Sequence, residues 1–316
     1  MAVGRVHPGE EAVRERAGYE RRGIGSGRVG DTIPPVASAF LDTARFAVLA
    51  VVDEHGEISA DVLAGEPGFL CAPDERTVEI GLAPPLTAPL FAPGVERTVG
   101  IIVLEPWTGR RMRVNGIAAR SGRSVVVRAD QVFSNCPKYI QTRTVDAGVA
   151  SAVERSWESS AAAGSAGLLT RSQRELVSRA DTFFLGTHTH GHGADMSHRG
   201  GNPGFVTVID ERHLSWPEYV GNSMYMSLGN LLHEPRCALV FPDWTSGRTL
   251  HLRGRARVDW DPQRAARIPG ARQVVDFDLE EAVEIADGMP LRWRFGSYHR
   301  FNPPLGRCPS ASASVP

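Results

Sequence analysis

The stretch PGFVTVIDER at residues 203–212 repeats, with substitutions, the stretch PGFLCAPDER at residues 67–76. When Pro203 is aligned with Pro67, the closing Asp-Glu-Arg of one stretch falls on that of the other without a gap. Each stretch opens with a Pro-Gly turn and continues into a short run of residues that favour β structure. The chain therefore encodes the same turn and strand twice.

A second pair of stretches extends this repeat. TSGRTLHLRGRA at residues 245–256 matches WTGRRMRVNGIA at residues 107–118, with Gly247 on Gly109 and Gly254 on Gly116. Short strands with alternating side chains and glycine-containing turns indicate antiparallel β structure rather than a βαβ repeat. We predict a mainly β fold with flanking helices, built as a tandem duplication of a small β-barrel.

Local signals place the domain boundaries around the two copies. Both copies open with a short helix followed by an apolar strand, and the second opening has capping-box spacing from Thr170 to Gln173 before a strand at 182–187. The predicted organisation is an N-terminal segment with a helix over 8–22 and a Gly/Pro-rich connector (1–35), a first barrel (36–146), an Ala/Ser/Gly-rich linker (147–167), a second barrel (168–305) and a disordered tail (306–316).

Composition excludes several classes of function. With 35 basic and 36 acidic residues, the chain has no broad positive charge for a nucleic-acid backbone. No run of about 18 apolar residues could span a membrane, and the charged N-terminus lacks the apolar core of a secretory signal. The four cysteines are widely spread, which fits a reducing compartment. We expect a cytoplasmic protein with no nucleic-acid or membrane partner.

The two copies agree in scaffold residues and differ in polar ones. Residues 197–202 read SHRGGN, whereas the first copy has DVLAGE at 61–66, and GNSMYMSLGNLL at 221–232 has no counterpart in the first copy. Arginine offers a planar fork of donors, serine and asparagine add neutral donors, and glycines let backbone N–H groups converge. The second copy is therefore the candidate binding half for a phosphorylated cofactor. The alternative is that SHRGG is an ordinary polar strand connection.

These residues resemble the pyridoxamine 5'-phosphate oxidase-like FMN-binding split-barrel family, in particular its two-copy bacterial branch. The motifs that carry the resemblance span nearly the whole chain: HPGEEAVRERAG (7–18), PGFLCAPDERT (67–77), QVFSNCPKYIQ (131–141), ADTFFLGT (180–187), SHRGGNPGFVTVIDER (197–212), GNSMYMSLGNLL (221–232) and GRTLHLRGRARV (247–258). The resemblance implies one six-stranded antiparallel split barrel per copy, packed as a pseudo-dimer, with FMN at the interface between the barrels.

The resemblance also implies roles for individual residues. Ser227 and Asn230 match the segment that holds the FMN phosphate, next to a helix N-terminus. The strand bordering the flavin ring contributes Ser197, His198 and Arg199, and His198 and Arg199 are the predicted catalytic residues, in orienting or charge-stabilising roles. The remaining predicted cofactor-binding residues are Gly200, Gly201, Asn222 and, on a later strand, Arg253.

One departure from the family concerns the phosphate. Many relatives have lysine or arginine where this chain has Ser227, so the counter-charge must come from elsewhere, and Arg199 and Lys138 are the candidates. NCPKYIQ at 135–141 follows the last strand of the first copy and is missing from the second. We therefore hypothesise one composite FMN site per chain, completed by Cys136, Lys138 and Tyr139. The alternative is that this segment only packs the end of the first copy.

The function implied is that of an FMN-dependent oxidoreductase acting on a small organic substrate. A ferredoxin or flavin reductase would donate electrons in trans, and the protein would be a pseudo-dimeric monomer or a homodimer. Two alternatives remain open: a deazaflavin-dependent reductase, and a flavin- or haem-binding protein without turnover. THTHGHG at 187–193 bears on the last of these because its three alternating histidines suit a metal or haem, although the interleaved glycines favour an exposed turn. No metal site is predicted.

Overall fold

The computed structural model describes residues 7–18, 29–84, 87–146, 163–221 and 224–304. The elements of the first part of the chain are α1 (Pro8–Arg16), α2 (Pro35–Thr43), β1 (Phe46–Val52), β2 (Ile58–Ala64), β3 (Leu70–Asp74), β4 (Thr77–Ile80), β5 (Glu96–Glu105), β6 (Arg110–Ser121), β7 (Ser124–Ser134) and β8 (Thr142–Val145). A single 3-10 turn, Ala88–Leu90, lies between β4 and β5.

The second part follows the same plan. Its elements are β9 (Ala163–Ala166), α3 (Arg171–Arg179), β10 (Thr182–Thr189), β11 (Gly193–Gly200), β12 (Thr207–Val208), β13 (His213–Tyr219), α4 (Met226–His233), β14 (Arg236–Pro242), β15 (Thr249–Asp259), α5 (Pro262–Ala266), β16 (Ala271–Ile285) and β17 (Trp293–Ser297).

The strand order confirms the duplication. The first sheet runs β2-β1-β5-β6-β7-β4-β3 and the second runs β11-β10-β14-β15-β16-β13-β12, which is the same order element for element. Leu49 pairs with Asp61 in the first sheet, and Leu185 pairs with Ser197 in the second, so the alignment made on the prolines holds across both strand pairs. Each of these orders has seven strands where six were expected, because the repeated stretch folds back on the next strand and adds a short edge strand (β3, β12).

A bulge recurs at the same place in both sheets. The register shifts at Gly116 between β6 and β7 and at Gly254 between β15 and β16. A Cβ atom on Gly116 would lie 2.0 Å from the carbonyl oxygen of Arg128, and one on Gly254 would lie 2.1 Å from that of Asp278. Both positions therefore require glycine, because another backbone approaches too closely for a side chain.

Strand β1 explains how the copies pack together. Its sequence FAVLAVV alternates between two cores, since successive side chains of a strand point to opposite faces. Ala47, Leu49 and Val51 enter the core of the first copy, which collects side chains from all seven strands and so shows that the sheet curls around it. Phe46 and the residues in phase with it pack instead against the second copy, in a cluster that includes Phe184. The interface is thus an apolar core shared by both copies.

The helices agree with the sequence in type and differ in extent. Helix α3 begins after Thr170, whose side chain and that of Gln173 form the expected capping box. The expected strand at 182–187 is β10. Helix α1 ends at Arg16, earlier than the expected residue 22, and Gly18 follows with a φ of 75° that cannot continue a helix.

Parts of the predicted linker and tail lie outside the described residues. These are residues 147–162 of the linker and the whole of the tail, 306–316. Residues 163–166 of the predicted linker form β9 and pair with β16. Strands β8 and β17 form a separate two-stranded sheet that joins the ends of the two copies.

Candidate cofactor pocket between the two copies

A cavity of about 100 Å³ lies where β6 of the first copy packs against β11 of the second. The first copy contributes Arg111 and Arg113 from β6, together with Tyr139. The second copy contributes the end of β11, the end of β13 and the start of α4. Because each copy supplies part of the wall, the pocket exists only when both copies are docked.

Two of the three arginines at the pocket are paired with carboxylates. Nη1 of Arg113 donates to both carboxylate oxygens of Asp195, at 3.0 and 2.9 Å. Nε of Arg199 donates to Glu218 at 2.6 Å, and its Nη1 donates to the hydroxyl of Ser197 at 2.9 Å. These pairs neutralise and orient both guanidinium groups.

Arg111 has no carboxylate partner among the described residues and instead contacts His198 of the second copy. Its Nη1 lies 3.1 Å from Nδ1 of His198. Since a guanidinium can only donate, Nδ1 is the acceptor and the imidazole proton is on Nε2. Burial, together with the nearby charges of Arg111 and Arg199, holds the pKa of His198 well below its usual 6.5. The imidazole is therefore neutral near neutral pH.

The pocket has donors without acceptors. Within the described part of the chain, Nε of Arg111, Nε of Arg113 and Nε2 of His198 are buried and have no hydrogen-bond partner. Burial lowers the pKa of Arg111 to about 9, which leaves it charged at neutral pH. With Arg113 and Arg199 neutralised, Arg111 is an uncompensated positive charge. Unsatisfied buried donors beside such a charge suit an anionic ligand that carries acceptor atoms.

Helix α4 presents its first turn to the same pocket. Within the described part of the chain, the side chain of Tyr225, the residue before the helix, makes no capping hydrogen bond to it. The hydroxyl of Ser227 lies 3.0 Å from Oδ2 of Asp195 and 2.9 Å from Oγ of Ser197. These contacts fix the start of the helix against β11.

Backbone strain is concentrated at the pocket. Tyr139 and Tyr225 are the two non-glycine residues with positive φ in the described part of the chain, at 67° and 59°, and both line the pocket. Such conformations cost about 1–3 kcal/mol each and cluster at functional sites. The hydroxyl of Tyr139 donates to the carbonyl of Val220 at 2.9 Å, and its ring lies 5.3 Å from that of Tyr219. The strained residues thus come from both copies and close the pocket together.

Five of the residues predicted from the sequence come together here. His198, Arg199, Gly200 and Ser227 line the pocket, and Ser197 lies directly behind it.

The other predicted residues lie elsewhere. Gly201 packs against Phe205 beside the wall. Asn230, about one turn further along α4, donates to the hydroxyl of Thr187 on β10 at 3.0 Å and does not line the pocket. Arg253 forms an ion pair with Glu281 on β16. Lys138 lies over the ring of Phe301, 5.4 Å from its centre, while its neighbour Tyr139 faces the pocket. Asn222 lies outside the described residues.

Four more residues of the pocket and its wall were not predicted from the sequence: Arg111, Arg113, Asp195 and Glu218. A signal for the first two was present, because they align with Thr249 and His251 once Gly116 is placed on Gly254. Most of the predicted site residues are polar residues that are present only in the second copy, whereas these two arginines are present only in the first. Polar residues that are present only in the first copy are therefore an equally useful signal for the pocket.

The equivalent location on the other side of the interface contains different groups. Nδ1 of His251 lies 2.8 Å from the carbonyl oxygen of Ala60, and its Nε2 lies 2.7 Å from the hydroxyl of Thr249. Asp61, at the position of Ser197, accepts from the amide and the hydroxyl of Thr87 at 2.6 and 2.7 Å. No arginine stands at either position that corresponds to Arg111 or Arg113, so the two sides of the interface are chemically distinct.

Neither a metal cluster nor a membrane span is found in the described ranges. No group of three or more His, Cys, Asp or Glu residues there could hold a metal ion. The histidines of THTHGHG point in different directions, with His188 buried, His190 exposed and the ring of His192 lying 5.1 Å from that of His7. No described helix is long and apolar enough to cross a membrane.

Comparison with known proteins gave the following matches. A family model described as pyridoxamine 5'-phosphate oxidase matches residues 169–285, from just before α3 to the end of β16. A search of curated proteins gave no match. Among solved structures, the chain is similar to a protein from Lactobacillus delbrueckii provisionally assigned as a pyridoxamine 5'-phosphate oxidase, with 22% identity, 36% of this chain and 93% of that chain covered, and a TM-score of 0.31.

Two further structures show a similar level of likeness. One is a FAD-binding protein from Mesorhizobium loti, with 13% identity, 39% of this chain and 96% of that chain covered, and a TM-score of 0.27. The other is an F420 reductase, with 13% identity, 37% of this chain and 99% of that chain covered, and a TM-score of 0.29. The family model covers most of the second copy, and the first copy repeats the sheet of the second strand for strand.

Proposed function

We propose that the chain binds FMN in the pocket between its two copies and uses it as an oxidoreductase acting on a small organic substrate. The observation that carries this proposal is Arg111, a partly buried positive charge whose Nε is fully buried and whose only side-chain hydrogen-bond partner among the described residues is a neutral imidazole. Removing a guanidinium from water costs free energy unless an anion balances its charge. A flavin carrying a phosphate supplies an anion and a heterocycle rich in acceptor atoms.

The residues present fit such a cofactor in chemistry. The unpartnered donor atoms of Arg111, Arg113 and His198 match acceptor atoms, and the first turn of α4, which Tyr225 does not cap with its side chain, matches a phosphate. The enclosed volume of about 100 Å³ is below the roughly 300 Å³ at the lower end of ligand pockets. The cavity would therefore enclose only part of the cofactor, and Tyr139 and Tyr219 would be among the residues that hold it.

The phosphate counter-charge is assigned to Arg111 in this proposal. Of the two residues suggested by the sequence, Arg199 is neutralised by Glu218, and Lys138 lies over a phenylalanine ring outside the pocket lining. Arg111 is charged, unpaired with any described carboxylate and at the pocket wall.

The chain's own residues would act mainly by positioning and electrostatics. When bound, a flavin supplies hydride or electron transfer. His198 is fixed as the Nε2–H tautomer by Arg111, so it would donate a hydrogen bond to the ligand rather than accept one. Arg111 would hold the phosphate of the ligand. Arg199 is paired with Glu218 and bonded to Ser197, and it would keep these residues of the second copy in position around the ligand. We propose a separate ferredoxin or flavin reductase as the electron donor.

The absorbance spectrum of the purified protein tests this proposal, followed by acid release and quantification of any flavin. The visible bands of an oxidised flavin, lost on addition of NAD(P)H and a flavin reductase, are expected. A protein that neither contains nor takes up FMN but binds a deazaflavin would overturn the cofactor assignment. A protein that binds FMN but leaves it oxidised under those conditions would overturn the oxidoreductase assignment.

A further inference from the structure

Helix α1 crosses α4 with the two backbones in direct contact. A Cβ atom on Gly9 would lie 2.3 Å from the carbonyl oxygen of Gly229, and one on Gly229 would lie 2.6 Å from the amide nitrogen of Glu10. Glycine at both positions is therefore a condition for the crossing. Helix α4, which begins at the pocket, thus packs against α1, a helix near the N-terminus of the chain.

Two more contacts tie α1 to the pocket. Nη2 of Arg14 donates to the carbonyl oxygen of Met224 at 3.2 Å, and Met224 lines the pocket just before α4 begins. Val13 is fully buried in the core of the second copy. Although α1 precedes the first copy in the sequence, it packs on the second.

A charged residue of α1, Glu10, lies near Asp195, the carboxylate that pairs with Arg113 in the pocket. Burial of the Glu10 side chain raises its pKa, the nearby charge of Asp195 raises it further, and that of Arg113 lowers it. Asp195 in turn holds Arg113 and contacts Ser227. A displacement of α1 would therefore reach the pocket through α4, whose Ser227 contacts Asp195.

We propose that α1 is a brace for the pocket: its docking on α4 holds Ser227 and Asp195 where they support the ligand, so ligand binding and α1 docking stabilise each other. The inference rests on the proposed function, because FMN is taken as the ligand. Coupling of this kind is reciprocal. FMN must protect α1, and loosening α1 must weaken FMN binding by the same factor.

Hydrogen exchange of residues 8–16 in the full chain, with and without FMN, tests the first half of this statement. We expect slower exchange with FMN bound. Titration of FMN into Gly9→Ala and Val13→Ala tests the second half, with an expected loss of affinity of about fivefold or more, the lower end of typical coupling. Glu11→Gln is the matched control, because Glu11 is exposed on the same helix, and it should bind FMN as the wild type does.

The outcomes separate the brace from the cofactor. If the wild type binds FMN while both variants match its affinity, or if FMN leaves exchange of 8–16 unchanged, the brace is wrong and the proposed function stands. If the wild type does not bind FMN, both are overturned by that result alone. Should Gly9→Ala fail to fold, Val13→Ala and the exchange of the wild type still decide the question.

Discussion

Arg111 of the first copy donates a hydrogen bond to Nδ1 of His198 in the second, 3.1 Å away. The contact crosses the interface between the copies, and it sets the tautomer of the imidazole. Because the partner is a neutral imidazole, no carboxylate among the described residues pairs with the positive charge of Arg111. The pocket is therefore tuned for an anion by two residues that lie 87 positions apart in the chain.

Removing this charge should weaken ligand binding. For Arg111→Met we expect FMN to bind about ten- to a hundredfold more weakly, because a hydrogen bond to a charged group contributes about 1.5–3 kcal/mol. Fluorescence titration with FMN measures the effect. Arg255→Met is the control, since Arg255 is an exposed arginine on β15 that is paired with Glu280 on β16. Equal affinity for the wild type and Arg111→Met would contradict the assignment.

The chain should bind one FMN and not two. The location equivalent to the pocket has Thr249 and His251 in place of Arg111 and Arg113, and the hydroxyl of Thr249 lies 2.7 Å from the His251 ring. Flavin released by acid, divided by protein concentration from amino-acid analysis, gives the stoichiometry. A ratio near two would show that the second location also binds.

Docking of the copies should depend on Gly100. A Cβ atom there would lie 2.7 Å from Cα of Asp195 in the other copy, so Gly100→Ala must push two strands apart. We expect the free energy of unfolding to fall by about 1–3 kcal/mol, as for other overpacked sites. Urea denaturation measures this change. Gly30→Ala serves for comparison, because the nearest atoms to its Cβ would be 3.9 Å away, and a similar loss in both variants would refute the prediction.

Stability should respond to pH through Glu10. Burial raises the pKa of this carboxyl from 4.5 to about 7. The group therefore contributes stability below about pH 4.5 that is lost as the pH rises through 7. Glu10→Gln cannot ionise, so over this range it should gain up to about 3 kcal/mol relative to the wild type. Urea denaturation at several pH values tests this, and a difference that does not vary with pH would count against it.

The fold was predictable from the sequence because duplication leaves a signal that needs no tertiary information. The two PGF…DER stretches and the glycines at 116 and 254 were enough to align the copies, and the strand pairing follows that alignment. The capping box at Thr170 was equally local. The sequence did not predict that one face of β1 packs in the core of the first copy and the other against the second copy. An apolar strand has the same sequence pattern whether its second face packs on a helix or on another sheet.

The site was predictable in part. Residues 197–200 were found because they differ between the copies. Asp195 was missed because its role depends on Arg113, which reaches it only after the copies dock. At residues 138 and 139, the positive φ of Tyr139 directs the tyrosine rather than the lysine to the pocket. A backbone conformation of that kind is set by tertiary context, so the sequence alone favoured the charged neighbour.

Joining both copies in one polypeptide has a consequence for how such a site can change over time. In a homodimer, any substitution appears twice, once on each side of the twofold axis, so a binding residue cannot be altered on one side alone. Here Arg111 and Thr249 are encoded separately and have diverged. The side with Thr249 and His251 now links the copies through the carbonyl of Ala60, while the side with Arg111 keeps its open donors. Mutation can therefore adjust the strength of the interface and the chemistry of the pocket independently.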